Sequence, residues 1–127
     1  MAVEAKFIEK GIYLSKWVGV ISGDEVVLSQ EQVLTLADEH GDDKYVLIID
    51  ATQFKRVQLT FQFVRDLLKR NNHRLLGYII VGMTFSTQLI TKSFSVIVQL
   101  PYHFAHNEDE AREMALRILA DYRDNPH

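Results

Sequence analysis

The chain has 127 residues, no cysteine and a formal net charge of −3. A hydrophobic fraction of 47% is too high for intrinsic disorder and enough for one sizeable core, and the missing cysteines exclude a disulfide framework and a thiolate zinc site. The mild acidity excludes a general basic field for nucleic acid or an acidic membrane.

The amino terminus, Met1-Ala-Val-Glu-Ala-Lys6, has no basic segment leading into an apolar run, and no stretch approaches bilayer-spanning length. A cytoplasmic protein of one domain, residues 1–127, without membrane insertion, is the expectation. The polar tail 124–127 is expected to fray.

Lys6–Glu9 and Ile12–Ile21 read as two strands joined by a tight turn at Lys10-Gly11. The second alternates, with Ile12, Leu14, Val18 and Val20 on one face and Tyr13, Ser15, Trp17 and Gly19 on the other. Such a hairpin pairs antiparallel at or near a sheet edge. Should the Tyr13 and Trp17 face stay uncovered, it forms an apolar patch suited to dimerisation.

A helix follows, opened by Ser22-Gly-Asp-Glu25 and running to about His40, with Val26, Val33, Leu36 and Ala37 inward. Ser29 with Gln32 is a rival start, in which case Val26-Val27-Leu28 prolongs the strand. Gly41 suits the helix end. Tyr45-Val-Leu-Ile-Ile-Asp50 is the third strand, apolar throughout until its terminal acid, as in a parallel sheet covered on both faces.

A short loop from Ala51 to Val57 is then expected, and a helix over roughly Gln58–Asn71 with Phe61, Val64 and Leu68 as its apolar stripe. Leu75–Met83 reads as the fourth strand. Thr84, Ser86 or Thr87 caps a helix carrying Leu89, Ile90, Phe94 and Ile97. Pro101–Ala105 is a short last strand. The closing helix has the clearest pattern: Asn107 as cap, Glu110 at the capping-box position, acids in the first turn, and Ala111, Met114, Ala115, Ile118, Leu119 and Tyr122 at helical spacing. The order β-β-α-β-α-β-α-β-α predicts an α/β fold with a mixed, mainly parallel five-stranded sheet.

The hairpin, the strand ending in Asp50, the loop and helix after it, and the Asn107-x-x-Glu-Ala111 helix together resemble the STAS domain. Tyr13–Gly23 followed by Tyr45–Thr52 is similar, more narrowly, to the SpoIIAA-like, or STAS/SEC14-type, bacterial branch. The resemblance implies a STAS-like sandwich, a bacterial source and a non-catalytic regulatory role like that of anti-sigma-factor antagonists, whose partner is a kinase-like or sigma-factor regulator. It also implies a phosphorylated serine at the start of the helix after the third strand. On this sequence Asp50 matches the strand-end acid, but Gln58, Leu59, Thr60 and Phe61 stand where the family has Asp-Ser-Ser-Gly. Leucine has no hydroxyl to phosphorylate, so the phospho-switch does not carry over, and Thr60 reads as a helix cap.

The expected partner-binding surface is therefore the segment Phe54 to Arg65. Phe54 and Leu59 supply apolar anchors, Thr60 the helix start, and Lys55, Arg56 and Arg65 the charge that suits an acidic protein. These lie in a locally basic run in which Asp66 is the only acid from Lys55 to Arg74; the same run also reads as a solvated helix face. Asp50, Thr52, Thr84 and Ser86 are the candidate ligand-facing strand ends, with an Asx-type turn as the plainer role for Asp50. His103 and His106 are three apart, which on a strand turns them to opposite faces and opposes shared metal ligation. No cofactor and no metal site is expected, and a homodimer is. A small apolar ligand or lipid between helices and sheet, and an enzyme using Asp50, are the rival functional readings.

Overall fold

The structure, a computed structural model, describes residues 3–58, 74–82 and 102–125. Among these residues five strands form one sheet in the order β1 Val3–Glu9, β2 Ile12–Ser22, β3 Tyr45–Gln58, β4 Leu75–Val81 and β5 Tyr102–Ala105. The β1/β2 pair is antiparallel, joined through Lys10-Gly11, and every later pair is parallel. The mixed, mainly parallel sheet is as expected. Gln58, expected to open a helix, instead ends β3; the rest of that expected helix, 59–71, and the one expected after Thr84 lie outside the described residues.

Helix α1 spans Gly23–His40, between β2 and β3. Ser22 starts it: its hydroxyl accepts the Glu25 N–H at 3.2 Å, while the Glu25 carboxylate accepts the Ser22 N–H at 3.1 Å. This reciprocal box satisfies donors that the first turn leaves orphaned. The rival start at Ser29 is thereby overturned, and Val26-Val27-Leu28 is helical rather than extended. Gly41 ends the helix at φ 70°, in the left-handed region that glycine enters without a Cβ penalty. Helix α2, Glu108–Asp124, is capped by Asn107, whose side-chain oxygen accepts the Glu110 N–H at 2.9 Å.

The helices cover opposite faces. On one, Ala111, Ala115 and Leu119 of α2 pack on Ile12, Leu14, Val46, Ile48, Ile79 and Val81. On the other, Val33 and Ala37 of α1 pack on Tyr13, Tyr45, Leu47, Ile49 and Ile80. Thus β3 is apolar at consecutive positions because its two faces feed two cores. Fully burying each of these large aliphatic side chains contributes about 1.5–3 kcal/mol.

The small residues Ala111 and Ala115 let α2 approach the sheet closely, and Leu119 reaches the hairpin. A Cβ on Gly11, which sits at φ +80°, would stand 3.2 Å from both Leu119 Cδ atoms. The alternating face of β2 is half confirmed. Ile12 and Leu14 are buried, whereas Val18 and Val20 are more than a third exposed.

Candidate interaction site

The sequence places a loop after Asp50; the structure places strand there. Register pairs Asp50 with Val81, the last residue of β4, and β3 then continues for eight residues beside β2. Gln53 stands opposite Val18, Phe54 opposite Gly19, Arg56 opposite Val20 and Gln58 opposite Ser22. Beyond the last β4 pair, the described part of the sheet is a two-stranded ribbon. The expected surface turn is overturned, and Asp50 is not a strand end but lies inside β3.

Two irregularities shape this ribbon. Between Asp50 and Gln53 the partner strand advances only from Lys16 to Val18, and between Phe54 and Arg56 only from Gly19 to Val20. Each inserts one extra residue into β3, so its side chains lose a strict period of two. Gly19 sits at φ +74° at the second irregularity, a conformation that L side chains rarely adopt.

At the first, the Asp50 carboxylate turns back on its own strand, where one oxygen accepts the Thr52 N–H at 3.0 Å and the Thr52 hydroxyl at 2.6 Å. That is the Asx-type contact, formed within a bulge instead of a loop. Gly82, just past β4, is at φ +83° and leaves no room for a side chain: a Cβ there would lie 2.7 Å from Thr52 Cγ2 and 3.0 Å from Thr52 Cα.

Of the expected partner-binding residues, Phe54 is half-buried with its ring 6.0 Å from that of Trp17, and Lys55 is exposed. Arg56 has its register position in the ribbon. Leu59, Thr60 and Arg65 lie outside the described residues, as do Thr84 and Ser86. Thr52 and Gln53 are exposed beside Phe54.

The Tyr13 and Trp17 face is not left uncovered, the condition for an apolar patch there: Trp17 is half-buried. Tyr13 has no exposed surface, because α1 and the Phe7 ring cover it. His103 is exposed, and exposed His106 pairs through Nδ1 with the Glu110 carboxylate at 3.1 Å. Among the described residues no group of three potential metal ligands forms.

A second constellation went unread in the sequence. Asp42, in the connection before β3, is 5% exposed, and its carboxylate accepts the Tyr13 hydroxyl at 2.6 Å, the Gly11 N–H at 3.0 Å and the Lys10 ammonium at 3.2 Å. Burial alone raises the Asp42 carboxyl. The hydrogen bonds from Tyr13, Gly11 and Lys10, with the Lys10 charge, outweigh it and hold the group below the usual carboxylate range. Tyr13 is driven the other way, first by burial and then by its hydrogen bond to the adjacent carboxylate, far above the ordinary phenol value.

Arg74 closes the same end. Its guanidinium donates to the Asp42 carbonyl at 2.6 Å, the Asp43 carbonyl at 3.2 Å and the Asp38 carboxylate at 2.8 Å. The signal was present: an inward tyrosine near the start of β2 needs a polar partner, and the acids after Gly41 enter the strand beside it.

On the α1 face, Ser15 and Ser29 share a hydrogen bond of 2.6 Å, and the Trp17 indole N–H donates to Ser15 at 3.0 Å. An open groove between β1 and α1 is lined by Glu4, Ala5, Leu28, Glu31, Gln32, Thr35 and Leu36. It is not the closed apolar cavity that a lipid-binding reading requires.

No protein-family model matches the sequence, and no curated protein does. Solved structures are similar in shape, among them the following two. An uncharacterized protein of the DUF3478 family with a SpoIIAA-like fold, from Shewanella loihica PV-4, superposes with a TM-score of 0.65 at 13% identity, over 90% of this chain and 92% of that one. The anti-sigma factor antagonist SpoIIAA, in its unphosphorylated form, superposes with a TM-score of 0.56 at 12% identity, over 91% and 98%.

The fold is SpoIIAA-like. The expected α/β fold with a mixed, mainly parallel five-stranded sheet thus holds over the described residues. Identities this low carry the fold alone, and function has to be argued from the site. Among the described residues no helix is long and apolar enough to cross a membrane.

Proposed function

We propose that this SpoIIAA-like domain is a non-catalytic regulatory module of the bacterial cytoplasm, homodimeric, that binds an acidic protein partner through the carboxyl end of β3. The observation that carries the reading is the overrun of β3 past β4. It holds Phe54 half-buried, with Thr52, Gln53 and Lys55 exposed, on a ribbon ahead of the segment that continues to Arg65. In an α/β sheet the carboxyl ends of the strands are where ligands and partners are met. The basic run Lys55, Arg56, Arg65 in a chain of net charge −3 adds a local sign for an acidic partner.

Two further facts support an interaction role over catalysis. Among the described residues, the two buried carboxylates accept from donors of their own chain: Asp42 from Tyr13, Gly11 and Lys10, and Asp50, through one oxygen, from Thr52. A catalytic acid or base is held where it reaches a substrate proton. SpoIIAA, similar in fold, is an anti-sigma factor antagonist, and the partner class proposed here is the same, a kinase-like or sigma-factor regulator. Leu59 at the position of the phosphorylated serine makes the association constitutive instead of phosphate-switched.

The test is capture from lysate of the source bacterium by immobilised protein, with captured chains identified by mass spectrometry. The triple variant Lys55→Glu, Arg56→Glu, Arg65→Glu is expected to lose the partner while keeping the wild-type urea midpoint. Unchanged capture by the triple variant removes this surface.

A further inference from the structure

We infer that β1 is the self-association edge: two copies pair antiparallel along Val3–Phe7, with Glu4 of each opposite Lys6 of the other. The inference rests on the homodimer reading above and supplies its interface. β1 is the first strand of the sheet order, and among the described residues it pairs only with β2. Its other edge therefore offers a ladder of backbone donors and acceptors to a second strand. Edges guarded against pairing carry proline, charged side chains or a bulge; β1 has no proline, its register break lies past Phe7, and its two exposed charges, Glu4 and Lys6, are of opposite sign and so can pair across a two-fold axis.

The faces follow from the register with β2. Lys6 stands beside Leu14 and Glu4 beside Lys16, on the face that α2 covers farther along the sheet; Ala5 stands beside Ser15 and Phe7 beside Tyr13, under α1. A two-fold axis normal to the sheet preserves faces, so paired residue numbers sum to an even value. With a sum of ten, Val3 meets Phe7, Glu4 meets Lys6 and Ala5 meets itself. Two opposite-charge pairs form on one face, and three apolar pairs continue the α1-side core across the axis. With a sum of twelve, Lys6 opposes Lys6. With a sum of fourteen, Lys6 opposes Ile8, and the only opposite-charge match, Glu4 with Lys10, falls on a residue beyond the end of β1.

The regular stretch of β1 also ends where the favoured overlap ends, since the register breaks between Phe7 and Glu9. The axis brings the partner's α1 to the same face. The groove lined by Ala5, Leu28 and Leu36 then becomes the seam between subunits.

Sedimentation velocity over a concentration series tests this on the full chain. The expected wild-type species has twice the 14.7 kDa chain mass. Lys6→Glu opposes Glu to Glu at two positions and should weaken dimerisation roughly tenfold or more. The swap Glu4→Lys with Lys6→Glu should restore it. Glu4 and Lys6 are exposed, so both variants fold, which circular dichroism verifies. A wild-type monomer at all concentrations overturns the homodimer and this interface together. A wild-type dimer that neither variant changes overturns the β1 interface alone and leaves the homodimer standing. Weakening by Lys6→Glu without rescue by the swap overturns the pairing register.

Discussion

Replacing Asp42 with alanine removes the acceptor of three donors at once. Two are buried: the Tyr13 hydroxyl, on a residue with no exposed surface, and the Gly11 N–H. A buried donor left without a partner costs about 1–3 kcal/mol. The third donor, Lys10, has a side chain 80% exposed, and an ion pair so solvated adds little. The expected loss for Asp42→Ala is therefore about 3–5 kcal/mol, a large part of the ~5–15 kcal/mol that holds a domain folded. Tyr13→Phe removes one charge-assisted bond and should cost about 1.5–3 kcal/mol.

The pair is read as a double-mutant cycle. Urea unfolding followed by Trp17 fluorescence gives all four stabilities, and the double variant should fall short of the sum of the singles by about 1.5 kcal/mol or more. Additivity of the two changes, or a loss below about 1 kcal/mol for Asp42→Ala, refutes the reasoning.

The same pair sets a pH dependence. The Asp42 carboxyl titrates below its ordinary range in the folded chain. Its contribution is therefore complete above about pH 4, the unfolded value, and drains away as pH falls through the folded one. Tyr13 is raised. On the alkaline side the unfolded chain loses the phenol proton first, so stability declines as pH climbs above about 10. Tyr13→Phe should flatten the alkaline decline and Asp42→Ala the acid one.

Two other expectations follow from packing. Ser15→Ala orphans both the Trp17 indole N–H and the Ser29 hydroxyl, whereas Ser29→Ala leaves Ser15 still accepting from Trp17; the costs should be about 2 and about 1 kcal/mol in urea melts, and the reverse order would contradict the assigned network. Gly82→Ala places a methyl 2.7 Å from Thr52 Cγ2 at a left-handed φ, for about 2–4 kcal/mol. In a Thr52→Ser background, which lacks that methyl, the penalty should shrink, and an equal penalty in both backgrounds removes the contact as its cause.

What the sequence disclosed, and what it did not, divides along physical lines. Periodic burial was readable. Tyr45–Asp50 announces a strand buried on both faces, and Ala111, Ala115 and Leu119 announce a helix face, because each burial pattern is written in one uninterrupted segment. The caps Ser22 and Asn107 were readable for the same reason, each partner lying three residues on.

The second half of β3 was hidden. Thr52-Gln-Phe-Lys-Arg56 is polar, and two bulges break the alternation by which a half-buried strand is recognised. The clue lay elsewhere in the chain. Pairing with β1 ends at Trp17, so the last five residues of β2 would have had no partner unless β3 continued beside them. The Asp42 cluster was invisible to any local pattern, since its acid and its donors are separated by 29 to 32 residues and meet only when β2 and β3 lie side by side.

The two ends of the sheet are built to opposite specifications. At the amino ends of the parallel strands, Gly11 precedes β2, Asp42 lies just before β3 and Arg74 precedes β4, and all three are bound together: Gly11 donates to the Asp42 carboxylate, Arg74 to the Asp42 carbonyl, and the Gly11 and Arg74 carbonyls accept the first N–H groups of β3. Polar groups buried and fully satisfied in this way rigidify. At the carboxyl ends stand the two bulges, the left-handed Gly19 and Gly82, and a ribbon with exposed side chains. Irregular backbone is retained where a surface is presented to something else. Substitutions at the first end should therefore change the unfolding midpoint and leave partner capture intact once the protein is folded. Charge reversals at the second, at Lys55 above all, should do the opposite. A Lys55 variant that lowers the midpoint as much as Asp42→Ala does would show that the ribbon is packed structure and not a presented surface.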